Sequence, residues 1–191
     1  ITGIAGMALE VVDGGFMEDV MISDLTMEDV QTPVFIRLGR RKHSDNSYLK
    51  NIQIKNITAT SVSYVASSIT GVPGLRVENV EISDIDFRLK GGGKIIDTQA
   101  EVPEAEEEYP ENRMFGVMLP AYGFYVRHAD NIRFINTKLS IIGNEEERYA
   151  FVADDVNGLE IINSTLQSPF SELSAVHLKD CKNIKVPEEL Q

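Results

Sequence analysis

Glu18-Asp19-Val20-Met21-Ile22-Ser23-Asp24-Leu25 is written again as Lys50-Asn51-Ile52-Gln53-Ile54-Lys55-Asn56-Ile57 and as Glu78-Asn79-Val80-Glu81-Ile82-Ser83-Asp84-Ile85. It returns as Asp130-Asn131-Ile132-Arg133-Phe134-Ile135-Asn136-Thr137 and Asn157-Gly158-Leu159-Glu160-Ile161-Ile162-Asn163-Ser164, with a worn copy at Lys182-Asn183-Ile184-Lys185-Val186. Marking each copy by its first apolar position (20, 52, 80, 132, 159, 184) gives steps of 32, 28, 52, 27 and 25 residues. Two insertions account for the uneven steps: a polar, basic stretch at about 40–48 and a long acidic segment at about 91–120.

Each copy alternates apolar and polar residues, the period-2 pattern of a strand with one buried face. Four residues after the marker stands Asp24, Asn56, Asp84, Asn136 or Asn163; only the last copy departs, with Glu188. Asn and Asp tolerate left-handed backbone and bond their own chain, which suits a sharp corner between strands. Second apolar runs accompany the copies, such as Pro33-Val34-Phe35-Ile36, Gly123–Val126 and Tyr149–Val152. A unit of about 25 residues with two or three short strands and tight corners describes one coil of a solenoid whose stacked coils share a core. The fold expected is therefore all-β, a parallel β-helix over residues 1–191. A β-sandwich would not explain the fixed Asn/Asp positions.

Composition narrows the function. The chain has 191 residues, 42% hydrophobic and 25% charged, enough for one domain with a real core. Eighteen basic against thirty acidic residues give a net charge of −12. Phosphate backbones and anionic lipid would repel such a surface, so a nucleic-acid partner is not expected. No apolar run approaches the roughly 18–20 residues of a membrane span, so no membrane partner is expected either. Cys181 is the single cysteine, which excludes an internal disulfide and a multi-cysteine metal site; it reads as a small packing residue. Pro187 and Glu188-Glu189 make a plausible end to the solenoid, whereas Ile1–Glu10 is apolar and would leave a coil edge exposed. The expectation is that these are the C-terminal coils of a longer helix, with further N-terminal coils as their partner.

Several groups carry potential chemistry. The adjacent carboxylates Asp154-Asp155 suggest acid and base roles, but the aligned copies carry Arg127-His128 and Lys179-Asp180, so the pair reads as polar corner residues. The run Arg37-Leu38-Gly39-Arg40-Arg41-Lys42-His43 is the densest positive patch. It either grips carboxylates of a polyanionic ligand or offsets acidic neighbours as a solvated loop. Arg127-His128 follows Phe124-Tyr125, a grouping suited to sugar binding, although a lone His at a strand end is more often structural. The acidic segment reads as a solvated excursion re-anchored by Tyr109 and Phe115, and its spacing matches no calcium loop. Asn56-Ile57-Thr58 and Asn163-Ser164-Thr165 match the glycosylation sequon, but the corner reading suffices for both. No phosphate loop, zinc spacing or Ser/His/Asp constellation is present, and no metal or cofactor is expected.

The string Gly6-Met7-Ala8-Leu9-Glu10-Val11-Val12-Asp13-Gly14-Gly15, the first repeat and Pro33-Val34-Phe35-Ile36-Arg37-Leu38-Gly39 resemble glycoside hydrolase family 28, particularly its bacterial members. The resemblance extends through Ser67–Gly74, Tyr109-Pro110-Glu111, Met114-Phe115-Gly116, Leu119–Gly123 and Tyr125-Val126-Arg127-His128. It implies a right-handed, single-stranded parallel β-helix and a secreted or periplasmic, pectin-degrading parent enzyme. That enzyme would hydrolyse galacturonan- or rhamnogalacturonan-type chains with inversion. The family's catalytic carboxylate motifs would lie upstream of Ile1, so no catalytic residue is assigned and the chain alone is expected to be inactive. The family's Arg-Ile-Lys substrate grip falls on Ala8-Leu9-Glu10, which replaces two cations and disfavours plain polygalacturonan. The expected contacts with pectic polysaccharide or oligosaccharide are Arg37 and Arg40, then Glu10, with Tyr125, Arg127 and His128. A non-catalytic β-helix that binds carbohydrate or serves as a structural module is the alternative.

Overall fold

The structure, a computed structural model, describes residues 4–42, 45–143, 145–169 and 173–191. His43 of the basic run and residues 1–3 of the apolar start lie outside the described residues. Strand makes up 60% of the chain and helix 4%, and parallel pairing winds the strands into a β-solenoid of about six turns. The parallel β-helix read from the repeat is thus the observed fold.

The first coil is β1 (Ala5–Val11) and β2 (Phe16–Val30), the second β3 (Thr32–Leu38) and β4 (Tyr48–Ser61), the third β5 (Ser67–Thr70) and β6 (Val77–Lys90). β7 (Ala121–Ile142) forms the fourth by itself. The fifth holds β8 (Tyr149–Ile162) and β9 (Thr165–Leu166), and the sixth β10 (Val176–Lys179) and β11 (Lys182–Lys185). One face of the solenoid stacks β1, β3, β5, the start of β7, the start of β8 and β10 in parallel register. A second stacks the repeat itself through β2, β4, β6, β7, β8 and β11.

The repeat explains its own corners. Asp24, Asn56, Asp84, Asn136 and Asn163 all have φ between 47° and 60°, the left-handed bend expected at those positions. A second left-handed column stands directly before the marker, at Asp19, Asn51, Asn79, Asn131 and Asn183, with Gly158 completing it. Its side chains bond from coil to coil: Asn51 Nδ2 donates to Asp19 Oδ1, Asn79 to Asn51 and Asn131 to Asn79, at 2.9–3.0 Å. Asn56 donates to Asp24, and Asn136 to Asp84, in the column after the marker. The sequon residues Asn56 and Asn163 both spend their amides on these ladders.

Inside, the markers Ile52, Val80, Ile132 and Leu159 are fully buried, as are Ile54, Ile82, Phe134 and Ile161 two positions on. Phe87, Phe124, Phe134 and Phe151 form an aromatic stack through the middle coils, with Phe124 and Phe134 4.8 Å apart. In the first coil Leu9, Val20 and Ile22 are only partly buried, and at the other end Val186 and Leu190 close over the core.

The acidic segment differs from the solvated excursion expected. It lies on the outer surface of the first face and builds a second apolar cluster there from Phe35, Ala66, Met114, Phe115, Leu119, Ala121, Tyr125 and Val152. Phe115 anchors it as expected, but Tyr109 is 70% exposed, with the Arg41 guanidinium 5.4 Å above its ring. The anchoring is done by hydrogen bonds as much as by apolar contact. A fully buried pair, Arg148 and Glu146, holds both ends of the segment. Glu146 Oε2 accepts from the Gly93 amide at 3.2 Å, and Arg148 donates to the Leu119 and Ala121 carbonyls at 3.1 and 2.9 Å. Gly93 is required there, because a Cβ would sit 1.8 Å from Arg148 Nε.

Candidate carbohydrate-binding face

Parallel stacking turns sequence-distant residues into columns, since strands lie about 4.8 Å apart. On the outer side of the first face, Glu10 pairs with Arg37, Arg37 with Thr70, Thr70 with Arg127, and Arg127 with Asp154. Lys179 follows Asp154. Three residues singled out from sequence, Glu10, Arg37 and Arg127, therefore belong to one column of mixed charge. A parallel column, two residues earlier on each strand, runs Ala8, Phe35, Ser68, Tyr125, Val152 and His177.

The excursion roofs the centre of this double column. Arg37 is buried, and its guanidinium donates to the Gly71 carbonyl at 3.0 Å, the Glu104 carbonyl at 2.7 Å and the Ala105 carbonyl at 3.2 Å. Burial pulls its pKa down to about 10, against the pull of Glu104 and Glu106, so it stays charged at neutral pH. Arg127 donates to the Val102 carbonyl at 2.7 Å and pairs with the Glu104 carboxylate. Tyr125 packs beneath Phe115, and burial raises its phenol well above the ordinary value. The sequence placed Arg37 and Tyr125 at an open face; in the fold both lie under the excursion.

His128 forms the corner beside Arg127, with φ of 49°. Its Nδ1 stands 2.6 Å from Asp155 Oδ2 and its Nε2 3.0 Å from Glu104 Oε2. Asp155 and Asp180 repeat the left-handed corner on the next coils, at 52° and 51°. Of the pair Asp154-Asp155 read as corner residues from alignment, Asp155 takes the left-handed corner, while Asp154 stays in strand register with Arg127. Arg76 fastens these corners: it reaches Asp130 at 2.9 Å, Asp155 Oδ2 at 2.6 Å and the Ala129 and Asp155 carbonyls at 2.8 Å. Burial works against the Asp155 charge, but the hydrogen bonds from His128 and Arg76 outweigh it and hold the carboxyl below its usual range. Asp154 meets Lys179 at 3.3 Å and Arg127 at 3.5 Å.

Arg40 lies in the loop at the corner, paired with Asp45 at 2.8 Å and Glu106 at 3.4 Å. Arg41 and Lys42 neutralise Asp13 at 2.5 and 3.3 Å. Glu10, half-buried on the edge coil, has its pKa raised by burial.

Past the edge of the excursion the columns come into the open. A groove of about 480 Å³ lies between residues 98–102 and the last two coils, lined by Tyr125, Arg127, Asp154, His177 and Lys179. His177 stacks on Tyr149 with ring centroids 4.7 Å apart, and its side chain is exposed. Sequence reading named Tyr149 only within an apolar run and Lys179 only as a polar corner residue, and did not single out His177. The signal available was their place in the aligned copies, where Lys179 occupies the position of Arg127. Among the described residues no cluster of three or more His, Cys, Asp or Glu side chains could hold a metal ion.

Compared with known proteins, the chain matches no family model, no curated protein and no solved structure.

Proposed function

We propose that this β-helix is a carbohydrate-binding wall, the C-terminal part of a pectin-degrading glycoside hydrolase, which holds pectic polysaccharide without cleaving it by itself. The observation that carries the reading is the groove beside residues 98–102. There the exposed His177, stacked on the half-buried Tyr149, adjoins Lys179, Arg127 and Asp154. Sugar rings offer apolar faces to aromatic side chains and hydroxyls to charged ones, and ligand sites combine such surfaces. The resemblance of Gly6–Gly15 and Pro33–Gly39 to family 28 supports the pectic substrate class. The ion pairs that Asp154 and Asp155 make with residues of neighbouring coils favour reading them as structural rather than as an acid and a base across a water. The roofing of the outer face favours a second reading, a β-helix that binds carbohydrate with no hydrolytic parent.

Calorimetric titration with galacturonan and rhamnogalacturonan oligosaccharides tests the proposal. Saturable binding that His177→Ala weakens at least five-fold, with no new reducing ends, is the expected result. Absence of binding to every pectic oligosaccharide overturns the binding role, and reducing-end release by the purified chain overturns the non-catalytic one.

A further inference from the structure

The excursion brings one carboxylate onto the cations of the outer column. Glu104 meets Arg127 Nη2 and, at 3.0 Å, His128 Nε2, while its own carbonyl accepts from Arg37. The Arg127 and His128 side chains are the buried partners, 18% and 10% exposed, whereas Glu104 is 30% exposed. The site thus belongs to the β-helix, and the carboxylate is delivered to it from outside. A further donor remains: Arg37 Nε is buried without a hydrogen-bond partner, while Arg127 Nε has only the Asp154 carboxylate, at 3.5 Å. The backbone that delivers Glu104 is strained, for Ala105 has φ of 50°, a left-handed conformation that a Cβ disfavours. Strain of that kind persists where surrounding contacts enforce it, and here the Arg37 guanidinium grips the Ala105 carbonyl.

We propose that Arg127 and His128 form a carboxylate-binding site that Glu104 occupies as an internal stand-in, and that an acidic sugar of the uronate class takes the site when the excursion yields it. A planar carboxylate is the natural partner of a guanidinium fork, and the groove containing Asp154 and Lys179 opens directly onto Arg127. Choosing a uronate as the external ligand rests on the carbohydrate reading above; the carboxylate site itself does not.

The test uses the full chain and its Glu104→Ala variant. Removing Glu104 takes one carboxylate from Arg127 and His128 and leaves them only Asp154 and Asp155, so sodium acetate, compared with sodium chloride at equal ionic strength, should raise the melting temperature of the variant and leave the native chain unmoved. Trigalacturonate should bind the variant at least ten-fold more tightly than the native chain, with no such gain for its methyl ester. Equal response of both proteins to acetate overturns the proposal, even if both bind trigalacturonate. Acetate rescue without trigalacturonate binding upholds the carboxylate site and overturns the pectic reading instead. If Glu104→Ala does not fold in chloride, Glu104→Gln, which keeps the side-chain volume, is put through the same titrations and decides by the same outcomes.

Discussion

Asn79 carries two energies that substitution can separate. Its φ of 55° favours a residue that tolerates left-handed backbone, and its amide both donates to Asn51 and accepts from Asn131. Asn79→Gly removes the ladder bonds but keeps the backbone at ease, whereas Asn79→Ala loses the bonds and strains the corner. Urea denaturation should find Ala less stable than Gly by about 1 kcal/mol, the reverse of their order inside ordinary strands. Arg148 is the costlier position. It is fully buried against Glu146 and satisfies carbonyls at Tyr64, Leu119 and Ala121. Arg148→Met should cost about 3–5 kcal/mol, because it strands a buried carboxylate together with those acceptors. Asp155 sets an acid limit. Its carboxyl is held below the usual range in the folded chain, so its contribution is present above the ordinary carboxylate pKa of about 4 and is lost as pH falls through the lower folded value. Asp155→Asn should flatten the fall in melting temperature below pH 4, leaving the slope contributed by other lowered groups such as Glu146 and Glu160.

The excursion over residues 91–120 behaves as an element in its own right, fixed at both ends and apolar beneath. Phe115, buried between Arg37 and Tyr125, is its central contact. Phe115→Ala should cost about 3 kcal/mol, and limited proteolysis should then cut within 98–110 before it cuts any coil. The difference between what was legible here and what was not lies in the range of the interactions. Corner residues such as Asp84 and Asn136 announce themselves because a left-handed backbone restricts the residue type locally. The repeat copies did show Asp19, Asn51, Asn79 and Asn131, but a polar residue on an outward strand has many readings until its partner one coil away is known. Apart from the anchor Phe115, the path of the excursion had no local signature. Arg37 and Glu104 lie 67 residues apart, and an acidic, proline-containing stretch reads as solvated whether or not its few apolar residues find a face. For the same reason Arg37 looked like an open cation: its neighbours in sequence do not reveal the carbonyls that bury it.

At the scale of the whole molecule, stability in a solenoid is a sum of coils and of the interfaces between them, so equivalent positions need not be equivalent in energy. Ile22, Ile54 and Ile82 occupy one inward column. Ile54 and Ile82 are sandwiched between coils and fully buried, whereas Ile22 belongs to the edge coil and is only partly covered. Ile82→Ala leaves a cavity walled on both sides and should cost about 3–5 kcal/mol, while Ile22→Ala removes contacts on one side and should cost about 1–2 kcal/mol. Hydrogen exchange should show the same gradient, with the greatest protection in β6, β7 and β8 and the least in β2. Equal costs at the two positions would mean that the first coil is as well covered as the interior ones, and that the molecule unfolds as one unit rather than from its edge.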